Sequence, residues 1–332
     1  MRRRSSFGGS EKQLENVPEA SGVSYLDVEN LLTDSGIEKI GDAYFGRLAE
    51  NSYYEGPDDS EEAIDELRDQ TDLDPDTVTE LFAFADYDDL EGTTPEHAAT
   101  IVSAEFDIED LINAFEEQDT ELDEDEYKST TIYKSESENP LYVGVLSADE
   151  YAIGTEEAVE SAVDVMKDNE DPLSGDVHTA FTALQSGFVR AAGTVPTELI
   201  PDEYEEFTDA NTISGAFYRD EDVLGNQVIL SADDKNAAED IKGSIDDLRS
   251  DIRDETDSPT ALEELEEVGV KRNGASVVVT YERTIDHLVE VIKDSGDAST
   301  FARALTSDAG GEFLPGAALP IQTSRHRMLE FR

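Results

Sequence analysis

The stretch YVGVLSADEYAIGTEEAVESAVDVMKD, residues 142–168, decides how the chain is read. Two short apolar runs, YVGV and YAIG, flank a polar turn, which is the pattern of a β-hairpin. Directly after it Thr155 stands where a helix N-cap belongs. Glu156 and Glu157 follow, where negative charge favours the positive end of the helix dipole. Val159, Ala162, Val163 and Met166 then recur at helical spacing, so one face of the helix is apolar. A hairpin feeding an amphipathic helix builds a sheet with a helical cover and carries no chemistry of its own.

The unit returns at residues 267–296, EVGVKRNGASVVVTYERTIDHLVEVIKDSG. Asn273-Gly274 between Val-rich runs signals a hairpin. Thr284 is the expected cap of a helix with Ile285, Leu288, Val289 and Ile292 inward, stopped at Gly296. A strand–helix unit also occurs twice. Residues 98–118 offer a strand, Asp107 as cap, and Ile108, Leu111, Ile112 and Phe115 on one face. Residues 226–252 offer a strand, Ser231 or Asp233 as cap, and Ala237, Ile241, Ile245, Leu248 and Ile252 on one face. Strand–helix lead-ins precede these at 22–32 and 187–201, the second with Pro196 in its first helical turn. Residues 80–88 and 212–221 read as comparable strands, and 60–70 as an added acidic helix.

The order strand–helix, strand, strand–helix, hairpin–helix thus appears twice, over about 20–168 and 187–296. It predicts an α+β chain of two related β-α modules, mainly antiparallel sheets with helices packed on one face. Residues 1–20 are expected to be a disordered N-terminal segment, 21–170 the first module, 187–297 the second, and 310–332 a disordered or non-native tail. The sheets of the two modules either join or stand apart.

Across 332 residues, 81 Asp and Glu face 24 Lys and Arg, a net charge of −57. Such a surface repels itself in dilute buffer, whereas ~1 M salt shortens the Debye length to about 3 Å. Apolar runs such as SVVVTYE (276–282) and NQVILS (226–231) set the chain apart from disordered polyanions. Its acidity resembles that of haloarchaeal proteins. That likeness of composition implies a salt-loving habitat and no particular activity.

The same charge removes partners. No basic stripe with stacking aromatics serves a nucleic acid, and anionic lipid is disfavoured. No run of ~18 apolar residues predicts a membrane span. The N-terminus MRRRSSFGGSEKQLENVPEAS has the basic start of an export signal without the apolar stretch that should follow. As written the chain is expected in the cytoplasm, with the cell envelope as the alternative if an N-terminal export segment is missing. Absence of Cys excludes disulfides, thiolate metal sites and Cys nucleophiles. Residues 310–332 carry three Arg against two Glu, a sharp break from the acidic body.

Chemical motifs are scarce. There is no Gly-x-Ser-x-Gly elbow, His-Glu-x-x-His, phosphate-binding loop or Gly-x-Gly-x-x-Gly. His97, His178, His287 and His326 form no pair at metal-ligand spacing, and His287 reads as a half-exposed surface residue. Ser174, Asp176 and His178 form a local triplet in a Gly-containing turn, which is not how triads are built. Asp220, Asp222 and Gly225 match positions 1, 3 and 6 of a calcium loop, but Leu224 and Ser231 occupy positions 5 and 12. A hairpin turn is the better reading there, with Asp220 and Asp222 kept as metal candidates. Asp74-Pro75 in TDLDPDTVTE (71–80) reads as a helix start. Tyr44, Phe45, Tyr53 and Tyr54 form one dense aromatic patch, either a ligand or partner face or the sealed edge of a core.

No catalytic residues and no cofactor are expected. The functional expectation is a non-enzymatic binding or structural module of a halophile. Alternatives are an envelope-associated carrier of an apolar ligand and a hydrolase working through carboxylates with a divalent cation. The partners expected are an apolar ligand or a protein, besides weakly bound cations at high salt.

Overall fold

The computed structural model describes residues 14–294 apart from 51–53, 55, 72–73, 87–96, 118–119, 138, 196–199, 201–206 and 257. The chain begins with β1 (Gly22–Asp27), α1 (Val28–Thr33), α2 (Ser35–Ala49) and α3 (Ser60–Thr71). A 3-10 turn at Pro75–Thr77 leads to β2 (Val78–Ala85), β3 (Ala98–Ala104) and α4 (Ile108–Glu117). Two hairpins follow, β4 (Leu122–Tyr127) with β5 (Thr130–Ser135) and β6 (Tyr142–Val145) with β7 (Glu150–Gly154), and then α5 (Glu156–Met166). Next come α6 (Gly175–Thr182), β8 (Val189–Thr194), β9 (Ala210–Asp220), β10 (Val223–Ala232) and α7 (Lys235–Glu255). The described chain ends with α8 (Pro259–Glu267), β11 (Gly269–Asn273), β12 (Ser276–Thr284) and α9 (Ile285–Asp294).

All twelve strands join one antiparallel sheet in the order β11-β12-β10-β9-β8-β1-β2-β3-β7-β6-β5-β4. The sheets of the two expected modules therefore merge, and the seam is the β1–β8 pair, in register from Gly22 opposite Gly193 to Leu26 opposite Val189. Outward from that seam one side runs β1-β2-β3-β7-β6 and the other β8-β9-β10-β12-β11. The two halves thread the sheet alike, apart from the β4–β5 hairpin added to the first. The likeness is one of topology.

Successive residues of a strand face opposite sides, and this places the helices. Ala152 packs in one cluster with Ala158, Val159, Ala162 and Val163 of α5, while its neighbour Tyr151 packs with Leu111 of α4. Most helices lie on the α4 side, here the back, as the one-face expectation has it. There α7 buries Ala238 and Ile241 against Leu230 and Val277, and α9 buries Ile285 and Leu288 against Leu224. The front face carries α5 and α6, the latter sinking Phe181 against Phe82 with ring centroids 5.5 Å apart.

Several local expectations shift. The cap of α7 is Asp234, which accepts from the N–H groups of Asn236 and Ala237, so neither Ser231 nor Asp233 caps it. Asp107 precedes α4, but the side chain at work is that of Asp110, accepting from the Asp107 N–H. Thr284 does cap α9, accepting from the His287 N–H. Thr155 sits at the N-cap of α5 without a side-chain cap bond; its hydroxyl instead meets Ala98 of β3, accepting from the N–H at 3.3 Å. The 274 turn follows the hairpin signal one residue late. Gly274 takes φ +66 in the two-residue loop between Asn273 and Ser276, which are paired.

The β4–β5 hairpin escapes a sequence reading because LDEDEY is too acidic to look like a strand. As an edge strand it needs only one neighbour, and its exposed acids block further pairing. The stretch between the two expected modules contains α6. Residues 14–20, assigned to the disordered N-terminal segment, pack instead: Leu14 and Val17 are buried in the core, and the Val17 carbonyl accepts from the Leu173 N–H at 2.7 Å. The Pro196 turn and residues 310–332 lie outside the described residues.

Candidate functional site

Where the two halves differ most is on the front face. In the first half that face is apolar, with Phe82, Phe84, Ala99, Ile101 and Ala152 in one cluster with α5 and α6. By chain order α9 is the counterpart of α5, yet it lies on the back. The front of β9, β10 and β12 therefore has α6 along one side and no second helix over it among the described residues. The sequence changes to match. In TISGAFY (212–218) Ile213 and Phe217 face the back, while Thr212 and Ser214 face the front.

Register turns these residues into a polar floor. Ser231 of β10 is paired with Thr212 on one side and Ser276 on the other, so three hydroxyl-bearing residues stand side by side on strands about 4.8 Å apart. One row on, Ser214, Ile229 and Val278 are likewise paired. Asp176, Thr179, Ala180 and Ala183 of the α6 side complete a groove of about 380 Å³, at the lower end of the ~300–1,000 Å³ usual for ligand sites. The Ser231 and Ser276 hydroxyls are 3.3 Å apart. Asn211, at one end, donates to Asp233 at 2.7 Å. The lining has no Lys, Arg, His or aromatic ring.

A second polar cluster lies on the back. Glu264 of α8 accepts from the Tyr281 hydroxyl at 2.5 Å, from Arg283 Nε at 2.8 Å, and meets His287 Nε2 at 2.7 Å. Burial alone pushes the Glu264 carboxyl up, but hydrogen bonds from Arg283, Tyr281 and His287 outweigh it and hold it below the ordinary carboxylate range. Burial, then the bond to Glu264, raises the Tyr281 hydroxyl. Arg283 also reaches Glu267 at 3.0 Å. Arg283 serves both carboxylates and His287 adds a contact to Glu264, so the cluster clamps α8 and α9 to β12. His287 is thus a half-buried member of a hydrogen-bonded network.

Tyr44, Phe45, Tyr54, Asp220 and Asp222, singled out in the sequence, do not line the groove. Tyr44 and Phe45 lie on α2, a regular helix rather than a loop or broken one, with ring centroids 5.5 Å apart. That helix packs on the back through Ile37 and Ile40, opposite the groove. Tyr54 is half-buried near Tyr44, and burial followed by the nearness of Tyr44 raises its hydroxyl. Tyr53 and His326 lie outside the described residues. Asp220 and Asp222 flank the β9–β10 turn, where Glu221 takes φ +52, and the Asp222 carbonyl accepts from the Ile285 N–H. Among the described residues no three acidic or His side chains gather in a way that could hold a metal ion. Ser174, Asp176 and His178 open α6 rather than a turn, and the Ser174 hydroxyl donates to Glu19, not to His178. The groove residues were overlooked because Ser and Thr carry no motif. The available signal was polar alternation in a strand expected to be covered.

No helix among the described residues is long and apolar enough to cross a membrane. No protein-family model matches the chain, and no curated protein is similar to it. Among solved structures it is similar to TP0453 in three crystal forms. Form III gives 11% identity and a TM-score of 0.44 over 85% of this chain and 98% of that one. Form IV gives 13% and 0.46 over 85% and 96%, and form I gives 10% and 0.42 over 84% and 96%. A likeness this distant carries no argument about function.

Proposed function

We propose that the chain is a non-enzymatic binding module of a salt-loving organism and that the front-face groove is its binding site. The observation that carries this reading is the exchange of an apolar face sealed by helices in one half for a hydroxyl-lined groove in the other, bordered among the described residues by α6 alone of the helices. A groove floored by Thr212, Ser214, Ser231 and Ser276 favours a polar ligand over the apolar cargo of an envelope carrier. It also brings only Asp176 as a carboxylate, too few for hydrolysis by paired acids.

A thermal-shift panel of sugars, amines, carboxylates and alkanes in ~2 M KCl tests it. Two groove-filling variants, Ser231→Phe and Ser276→Phe, serve as controls. At least one compound raises the wild-type Tm and fails to raise that of either variant. No shift with any compound, or shifts that survive both substitutions, contradicts the proposal.

A further inference from the structure

We infer that the groove takes a small uncharged polyhydroxyl molecule, a polyol or a sugar of one or two rings. The inference rests on the proposed binding role of the groove and adds the chemistry of its occupant. Thr212 and Ser214 are 4% and 1% exposed and line the groove. Strand register sets both beside the β10 residues of the floor, Thr212 opposite Ser231 and Ser214 opposite Ile229. A polar group buried without a partner is unfavourable, so an occupant that displaces water from this floor must supply hydrogen bonds to its hydroxyls.

What matches is set by the rest of the lining. Each hydroxyl both donates and accepts, and the Thr212–Ser231–Ser276 row repeats that pair of functions on three adjacent strands, with the last two oxygens 3.3 Å apart. An occupant must therefore offer several groups that also donate and accept, at comparable intervals, which a polyol or sugar does. Asn211 and Asn273 at the ends add amide donors and acceptors. An anion would meet no cation in the lining, within a chain of net charge −57. An organic cation would find Asp176 alone, at the exposed rim. An apolar ligand would strand the hydroxyls.

Isothermal titration calorimetry in ~2 M KCl tests this with sorbitol, glucose and maltose against acetate, tetramethylammonium and hexanol. Ser231→Ala and Ser276→Ala remove hydroxyls without filling the groove, and Ser231→Phe fills it. At least one polyhydroxyl compound binds the wild type, with affinity reduced about five-fold by each alanine and abolished by the phenylalanine. Binding of acetate, tetramethylammonium or hexanol alone, lost in Ser231→Phe, overturns the polyhydroxyl assignment and leaves the groove as the site. Absence of binding by all six, or sugar binding indifferent to all three substitutions, overturns both.

Discussion

Arg190 stands directly opposite Tyr25 across the β1–β8 seam, its guanidinium carbon 5.3 Å from the Tyr25 ring and 4.4 Å from that of Phe181. One side chain thus joins the first half, the second half and α6. It is 5% exposed, so its stacking on two rings is largely desolvated, where a cation–π contact is worth up to about 2 kcal/mol. Arg190→Ala should lower stability by about 3 kcal/mol, adding lost packing to lost stacking. Urea unfolding in ~2 M KCl checks this, and Arg190→Lys should recover only part of the loss because an ammonium cannot stack as a plane.

Asp34 and Arg219 form a second tie between the halves. The Asp34 carboxylate accepts from the Gly36 and Ile37 N–H groups at the start of α2 and pairs with Arg219 of β9. Both side chains are largely shielded, at 18% and 22% exposure, so salt screens the pair less than a surface one. Asp34→Ala should cost about 2 kcal/mol through cap and ion pair together, and Arg219→Met about 1 kcal/mol. A double-mutant cycle should return a coupling of roughly 0.5–1 kcal/mol even in high salt.

Glu264 and Asp164 contribute to the acid limit. Both carboxyls are held below their ordinary range. Burial of Asp164 is outweighed by hydrogen bonds from Lys128 and Tyr127, with Lys128 Nζ 2.5 Å away. A depressed folded-state pKa gives stability that is complete above the unfolded value and lost as pH falls through the folded one. The urea midpoint should hold from pH 7 to about 5 and fall below pH ~4. Glu264→Gln should flatten part of that slope, and an unchanged profile would refute the assigned network.

Gly225 has a steric role that Ala cannot fill. A Cβ there would lie 2.3 Å from Cζ of Tyr218, whose ring is buried at 3% exposure. Its hydroxyl donates to Glu282 at 2.6 Å. Burial, then that bond, pushes the Tyr218 hydroxyl up to about 12. Gly225→Ala should destabilise by about 2 kcal/mol, while Gly225→Ala combined with Tyr218→Ala should cost less than the two single changes summed.

The architecture was legible wherever apolar periodicity was strong. The 142–168 hairpin and helix, the β11–β12 hairpin with α9, and the β9–β10 turn at Glu221 all sit within a residue of where the pattern puts them. Legibility failed where tertiary context overrides composition. Strand β4 is made of acids because an edge strand is half solvated, and α6 hid in a polar stretch because eight residues give too few turns to show a period. The groove was invisible for a different reason. Thr212, Ser231 and Ser276 are 19 and 45 residues apart along the chain, and only strand register brings them together.

Chain composition supplies a direct probe of the groove. The chain has no Trp, so Thr179→Trp, at the exposed α6 rim of the groove, creates a single indole reporter. Its emission in ~2 M KCl, followed during titration with maltose and then sorbitol, should change saturably, and the change should vanish when Ser231→Phe is added. Emission that stays constant, or drifts without saturating and regardless of Ser231→Phe, would contradict the groove as a binding site.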